Sequence, residues 1–227
     1  MKIEEFVREG FYLNLDRKTK RNQQCIDQLQ KYNLNKIIKR VSAIEAFPFE
    51  KKCDSLSEDW YKCVRANTES QLNIIKYAKE KKLENVLIFE DDFFFVEDGI
   101  INPIEQIEKA IDSIKFLNWD ILYLGGSVMD SQIQMIDLNL IKVDCMLCAH
   151  AYILNYKMYN EVIKNYNHVC IMDNLLNYVC KYKYSVYPCM VVQKGDDLSD
   201  IGGHPTINPN EYIKSYLKPI KKYEKII

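Results

Sequence analysis

Residues 83–95 read LENVLIFEDDFFF, where three consecutive carboxylates, Glu90, Asp91 and Asp92, follow an apolar run and precede three phenylalanines. An unpaired carboxylate in apolar surroundings is costly, so the triplet is either an exposed acidic turn or the meeting place of something cationic. In an extended chain alternate side chains share a face, which groups Glu90 with Asp92 and turns Asp91 away. Two oxygen ligands on one face suit Mg²⁺ or Mn²⁺, with water and substrate phosphate completing the shell. Three crowded carboxylates repel one another unless a cation, hydrogen bonds or water relieve them.

Three other stretches carry candidate chemistry. FYLNLDRKTKR places Asn14 and Asp16 at the end of an apolar segment, with Arg17 and Arg21 one helical step apart. Those guanidinium groups suit a phosphate, although KTKR also reads as a solvated helix surface. HVCIMDNLL sets Asp173 in an apolar helical context, as a helix cap or as a base for an incoming hydroxyl. QKGDDLSDIGGH ends on His204, a third metal ligand or a loop histidine. Cys145 and Cys148 form a C-x-x-C; without a second ligand pair they read as buried thiols or a disulfide.

The elements that must position these groups follow from periodicity. FYLNLD predicts a strand, and Cys25, Ile26, Leu29 and Tyr32 at helical spacing predict a helix after it. A strand starts at Ile37, the region KKCDSLSEDWYKC has no clear period and reads as loop with a short helix, and residues 65–82 read as a helix capped by Asn67 or Thr68. NVLIFE is a strand buried on both faces, so the acidic triplet lies beyond its carboxyl end, where open α/β sheets bind ligands. Residues 101–118 predict a helix, 119–126 a strand, 136–143 and 147–154 two more strands, KMYNEVIKNY and CIMDNLLNYVCKY helices, YSVYPCMVVQ a strand, and the basic tail a helix. The alternation predicts one α/β domain over 1–227, with a mostly parallel central sheet, helices on both faces and mixed pairing toward the C-terminal half.

Composition narrows the class. With 31 basic and 32 acidic residues the formal charge is -1, which argues against a nucleic-acid binder working through a basic face. MKIEEFVREG lacks the features of a secretory signal, and no apolar run approaches the roughly 18 residues of a membrane span. The expectation is a cytoplasmic protein; the Lys, Asn and Ile content leaves a viral source open, and with it host cytoplasm or virion.

Seven of these pieces, FYLNLDRKTKR, RVSAIEA, VLIFEDDFFF, WDILYLGG, AHAYILN, IMDNLL and YPCMVVQKGDDLSDIG, occur in the order of a known family. The chain resembles the family 25 glycosyltransferases, which include lipopolysaccharide-biosynthesis and procollagen galactosyltransferases. The resemblance runs from about residue 11 to 203 and implies a glycosyltransferase-A fold, a nucleotide-sugar donor, with UDP-galactose or UDP-glucose leading, and a divalent cation, often Mn²⁺. It maps Glu90 to Asp92 onto the metal and donor motif, with Asp92 the direct ligand, Glu90 close by or acting through water, and Asp91 on ribose or sugar. Asn14, Leu15, Asp16, Arg17 and Arg21 match the nucleotide-side motif, Asp173 the acceptor-side base of an inverting transfer, and Gln193, Ser199 and Asp200 the segment closing the cleft. The implied acceptor is a hydroxyl of a glycan or a collagen-like protein. One departure is KCVRANTESQL, which lacks a serine–histidine pair found in many bacterial members and puts Arg65, Asn67 and Ser70 in its place. Two other classes share such a cleft: a metal-dependent nucleotidyltransferase, whose glycine-rich basic loop is not visible after FYLNLD, and a non-catalytic carbohydrate-binding protein.

Overall fold

The computed structural model describes residues 1–46, 58–97, 99–129, 133–167 and 171–194. The chain opens with a short helix α1 (Ile3–Phe6), strand β1 (Glu9–Asn14), helix α2 (Thr19–Lys31) and strand β2 (Ile38–Ser42). Next come α3 (Glu58–Glu80), β3 (Asn85–Glu90), β4 (Phe93–Phe95), α4 (Pro103–Ile114), β5 (Ile121–Val128), β6 (Gln134–Met135), β7 (Leu140–Val143) and β8 (Met146–Asn155). A 3-10 turn leads into α5 (Tyr159–Asn165), followed by α6 (Met172–Val179), β9 (Lys183–Val186) and β10 (Val191–Gln193). Among the described residues no helix is long and apolar enough to cross a membrane.

Eight strands form the main sheet in the order β2-β1-β3-β8-β5-β9-β7-β6, flanked by helices. This is a Rossmann-like α/β sheet, but the expectation of mostly parallel pairing is corrected: it is mixed. β1 pairs in parallel with β2 and β3, and β5 with β9, whereas β8 runs antiparallel to both β3 and β5 and β7 antiparallel to β9. A central strand buried on both faces is a near-continuous apolar run in either direction, so AYIL in β8 carries no mark of its polarity.

Alternation along β3 sorts its side chains between two cores. Leu87 and Phe89 pack with α1, α2 and α4, where Ile107, Ile111 and Ile114 are fully buried; each such side chain contributes roughly 2 kcal/mol of burial. Val86 and Ile88 pack with α3, α5 and α6. Pro103 opens α4 behind the Asn102 cap, whose side chain accepts from the N–H groups of Ile104 and Glu105.

The region read as loop with a short helix holds the first turns of α3, which starts at Glu58. Asn67 and Thr68 therefore lie inside the helix and do not cap it; Thr68 Oγ1 donates to Val64 O within the same helix. The expected strand YSVYPCMVVQ is two, β9 and β10, separated by a cis Tyr187–Pro188 bond. The predicted helical tail lies outside the described residues, as do Ser199, Asp200 and His204.

β4 and β10 form a two-stranded sheet beyond the carboxyl edge of β3. It approaches β5 at Gly125, where a bulge shifts the register with β8. A Cβ on Gly125 would collide with the Val191 carbonyl oxygen and lie 2.5 Å from His150 Nε2. Gly125→Ala should therefore destabilise the fold by about 3 kcal/mol or more in urea unfolding at neutral pH, because the obstructing atom is backbone.

Candidate functional site

The three carboxylates at the end of β3 go to three different neighbours. Glu90 continues the Val86–Ile88 face toward α3, and its Oε1 accepts from Asn67 Nδ2 at 2.9 Å and Gln71 Nε2 at 3.2 Å. The Gln71 amide is itself oriented, since Tyr152 OH in β8 donates to Gln71 Oε1 at 2.7 Å. Burial pushes the Glu90 carboxyl up to about 8, the charge of Asp92 adds to the shift, the Asn67 bond opposes it, and Asp173 and Asp91 raise it further. Glu90, Asp92 and Asp173 are thus close enough to repel.

Asp91 continues the opposite face toward α2. Its Oδ1 accepts from Arg21 Nη1 and its Oδ2 from Asn14 Nδ2, both at 2.8 Å. Arg21 and Asp91 are both largely buried, with side chains 7% and 11% exposed. Burial pushes the Asp91 carboxyl up while the Arg21 guanidinium and the Asn14 amide pull it down. Asn14 is fully engaged: it also donates to Lys18 O, and its Oδ1 accepts from Arg40 Nε at 2.9 Å. The structure thus gives Asn14, Arg21 and Asp91 to one another.

Asp92 turns toward β10. Its Oδ2 accepts from Gln193 Nε2 at 3.1 Å, and its backbone carbonyl accepts from Lys194 N at 2.7 Å. Phe93 stacks on Phe89 with centroids 4.4 Å apart, so the phenylalanines after the triplet hold the turn against the core.

At the ends of β1 and β2, Arg40 Nη2 donates to Asp16 Oδ1 at 2.6 Å, and Arg17 Nε donates to Glu45 Oε1 at 2.6 Å. Asp16 is 73% exposed, and Leu15 follows the last residue of β1. Arg40, unlike Arg17 and Arg21, was not singled out by spacing; only the pairing of β2 with β1 brings it to Asn14.

Asp173 lies in the first turn of α6, and its carboxylate binds β8 backbone: Oδ2 accepts from Cys148 N at 2.7 Å and Oδ1 from Ala149 N at 3.0 Å. Cys148 has φ 54°, a left-handed conformation that a non-glycine residue adopts at a cost, and the Asp173 carboxylate ties down its N–H. Burial pushes Asp173 up and these two bonds oppose it. Cys145 and Cys148 are not joined to each other in a disulfide. His150, which lies within AHAYILN but has no role assigned by that motif, is fully buried at the level of Glu90; its Nδ1 lies 2.7 Å from Cys148 O and its Nε2 3.3 Å from Val191 O. Both ring nitrogens face carbonyl oxygens, and the one that carries the proton of the neutral imidazole donates to its carbonyl.

Of the expected metal ligands Glu90, Asp92 and His204, the first two are described and His204 lies outside the described residues; among the described residues no group of three or more His, Cys, Asp or Glu could hold an ion. Glu90 and Asp92 are half-buried and close enough for their charges to act on each other. That oxygen pair fits a hard divalent cation of the kind that takes one or two protein carboxylates and completes its shell with substrate phosphate.

No family model and no curated protein matches the chain. Among solved structures, A197 from STIV is similar at 9% identity over 84% of this chain and 96% of that one, with a TM-score of 0.44. An apo UDP-glucose pyrophosphorylase is similar at 10% identity over 96% and 81%, with a TM-score of 0.41, and a UDP-glucose pyrophosphorylase from Acinetobacter baumanii at 11% over 95% and 76%, with a TM-score of 0.40. Likeness at these scores carries no argument about chemistry.

Burial holds the His150 imidazolium pKa down at about 4, below the value near 6.5 of an unfolded chain. Between those values the unfolded chain binds more protons at this site, so the stability this histidine contributes is intact above about pH 6.5 and is lost as the pH falls toward 4. The advantage of wild type over His150→Gln in urea unfolding should shrink by about 2 kcal/mol between pH 7 and pH 5. A pH-independent difference would show that His150 does not titrate as its burial requires.

Proposed function

We propose that this chain is a cation-assisted glycosyltransferase of the glycosyltransferase-A type, related to family 25, that moves galactose or glucose from a UDP-sugar to an acceptor hydroxyl. The observation that carries the reading is the convergence of Glu90, Asp92 and Asp173 at the carboxyl edge of a Rossmann-like sheet, beside the polar ends of β1 and β2. On this reading the whole chain, 1–227, is a single catalytic unit.

Glu90 and Asp92 would hold Mn²⁺ or Mg²⁺ together with the donor diphosphate. When bound, the ion supplies neutralising charge for the departing nucleotide. The Asn67 and Gln71 amides fix the Glu90 carboxylate, and Gln193 fixes that of Asp92. The nucleotide lies toward Asn14, Leu15, Asp16, Arg17 and Arg40, while the Arg21–Asp91 pair supports that wall from behind. Asp173 is the base: its oxygens, each holding one backbone N–H, keep a lone pair with which to take the proton of the acceptor hydroxyl. That oxygen attacks the anomeric carbon as the bond to UDP breaks, the electron pair leaving with UDP, and configuration inverts. Ser199, Asp200 and His204 enter as further contacts of the closing segment.

The test is a panel of UDP-sugars incubated with the protein and Mn²⁺, scored for UDP release. Wild type should release UDP from UDP-galactose or UDP-glucose, and chelation should abolish it. Asp92→Ala should lower the rate by roughly 100-fold or more while leaving the unfolding midpoint within a few degrees, since removing this half-buried carboxylate also relieves its repulsion with Glu90. Pyrophosphate formed from UTP and a hexose phosphate, without UDP release, would make the chain a nucleotidyltransferase. Saccharide binding with neither reaction would make it a binding protein.

A further inference from the structure

Gln71 is out of place in its helix. With Ile75 and Ala78 it lies on one inward stripe of α3, and all three side chains are buried. A buried primary amide is costly unless its donors and its acceptor find partners, and leucine would fill the same space without that cost.

Tyr152 takes the acceptor end. β8 sets this residue opposite Ile88 of β3 and Tyr123 of β5, and its side chain is fully buried. Its hydroxyl donates to Gln71 Oε1 at 2.7 Å. Burial, with the charges of Glu90 and Asp173, holds the phenol well above its ordinary range, so the hydroxyl stays a donor. With its oxygen fixed there, the Gln71 amide turns its NH₂ toward Glu90 and reaches Oε1 at 3.2 Å. Asn67, one turn earlier on the same face, donates to the same oxygen at 2.9 Å. Glu90 Oε2 accepts no hydrogen bond among the described residues. Glu90 therefore has one oxygen engaged and one to offer.

This asymmetry discriminates between cations. An oxygen that accepts two hydrogen bonds has both of its lone-pair sites occupied, so a ligand on Oε1 must displace an amide. Ca²⁺ gathers about six to eight oxygens and readily takes both from one carboxylate. A smaller octahedral ion, Mg²⁺ or Mn²⁺, needs fewer protein oxygens and completes its shell with water and phosphate. We infer that Gln71 and Tyr152 are positioning residues, which hold Glu90 Oε1 so that Glu90 meets the cation through Oε2 alone and favours Mg²⁺ or Mn²⁺ over Ca²⁺. This rests on the cation-assisted reading and adds how the ion is chosen.

Binding of Mn²⁺ is measured by electron paramagnetic resonance of the free ion, with Ca²⁺ as competitor, with and without UDP at one pH. Wild type should prefer Mn²⁺ by about ten-fold or more. Gln71→Leu combined with Tyr152→Phe removes both buried polar partners together, so the unfolding midpoint should stay close to that of wild type. Its Mn²⁺ affinity should fall about ten-fold, and its preference for Mn²⁺ over Ca²⁺ to about three-fold or less. Asn67→Ala, at a half-buried position, removes the other bond to Oε1 and should narrow the preference in the same direction. It decides the matter if the double variant does not fold. An unchanged preference in the folded double variant, or in Asn67→Ala where the double variant does not fold, would overturn the inference. So would an equal loss of affinity for both ions, which marks a structural role, or a wild type that binds Ca²⁺ as tightly as Mn²⁺ or binds no Mn²⁺. Failure of the transferase reading shows separately, as UDP release absent from every UDP-sugar while the preference for Mn²⁺ stands.

Discussion

Three negative charges in succession at the mouth of an apolar strand cannot share one environment. The chain resolves this by giving each carboxylate its own partner from a different element: α3 amides for Glu90, a guanidinium of α2 for Asp91, and β10 for Asp92. The strand pleat does the sorting, because Glu90 and Asp91 fall on opposite faces. Much of the surrounding architecture follows from these assignments. α2 must bring Arg21 under the turn, α3 must carry polar residues on a stripe otherwise apolar, and the small sheet must lie close enough for Lys194 to reach the Asp92 carbonyl.

The buried ion pair between Arg21 and Asp91 is a matter of mutual satisfaction more than of net attraction. Desolvating both charges costs about as much as their pairing returns, and removing one partner leaves the other stranded. Asn14 extends the arrangement by bonding both Asp91 and Arg40, so that the ends of β1, β2 and β3 are joined through side chains as well as through the sheet. A similar joint closes the other side: His150 lies between the carbonyls of β8 and β10, in space that only a glycine at position 125 leaves open.

How far the sequence discloses this varies with the physical signal. NVLIF announced a doubly buried strand, and the alternation rule correctly separated Glu90 from Asp91. The isoleucine spacing of α4 marked that helix, which ends a turn before the reading placed it. Polarity of β8 was illegible, because direction leaves no trace in a fully buried run. EDWYKC mixes charge and aromatics without a period, so it reads as loop with a short helix and gives no sign that these turns are continuous with α3. Gln71, Tyr152, Arg40 and His150 escaped for a shared reason: each matters through a partner distant in sequence, and a lone polar residue in an apolar run carries no sign of its partner. Arg21 was picked out as a cation near a cleft, yet its nearest anion belongs to the protein itself.

The reversed direction of β8 has an effect on how such a cleft can diversify. A strand parallel to its neighbours offers its last residues to the carboxyl edge, so variation enters through the loop that follows it. β8 instead presents Cys148, Ala149 and His150 early in its course, and its first residues supply the backbone N–H groups that hold Asp173. Changes of length upstream of β8 therefore act on the seat of one carboxylate while leaving untouched the turn that seats the other three. The two walls of the cleft hang from independent segments of chain, and natural variation can retune one without re-solving the crowding of charge at the other.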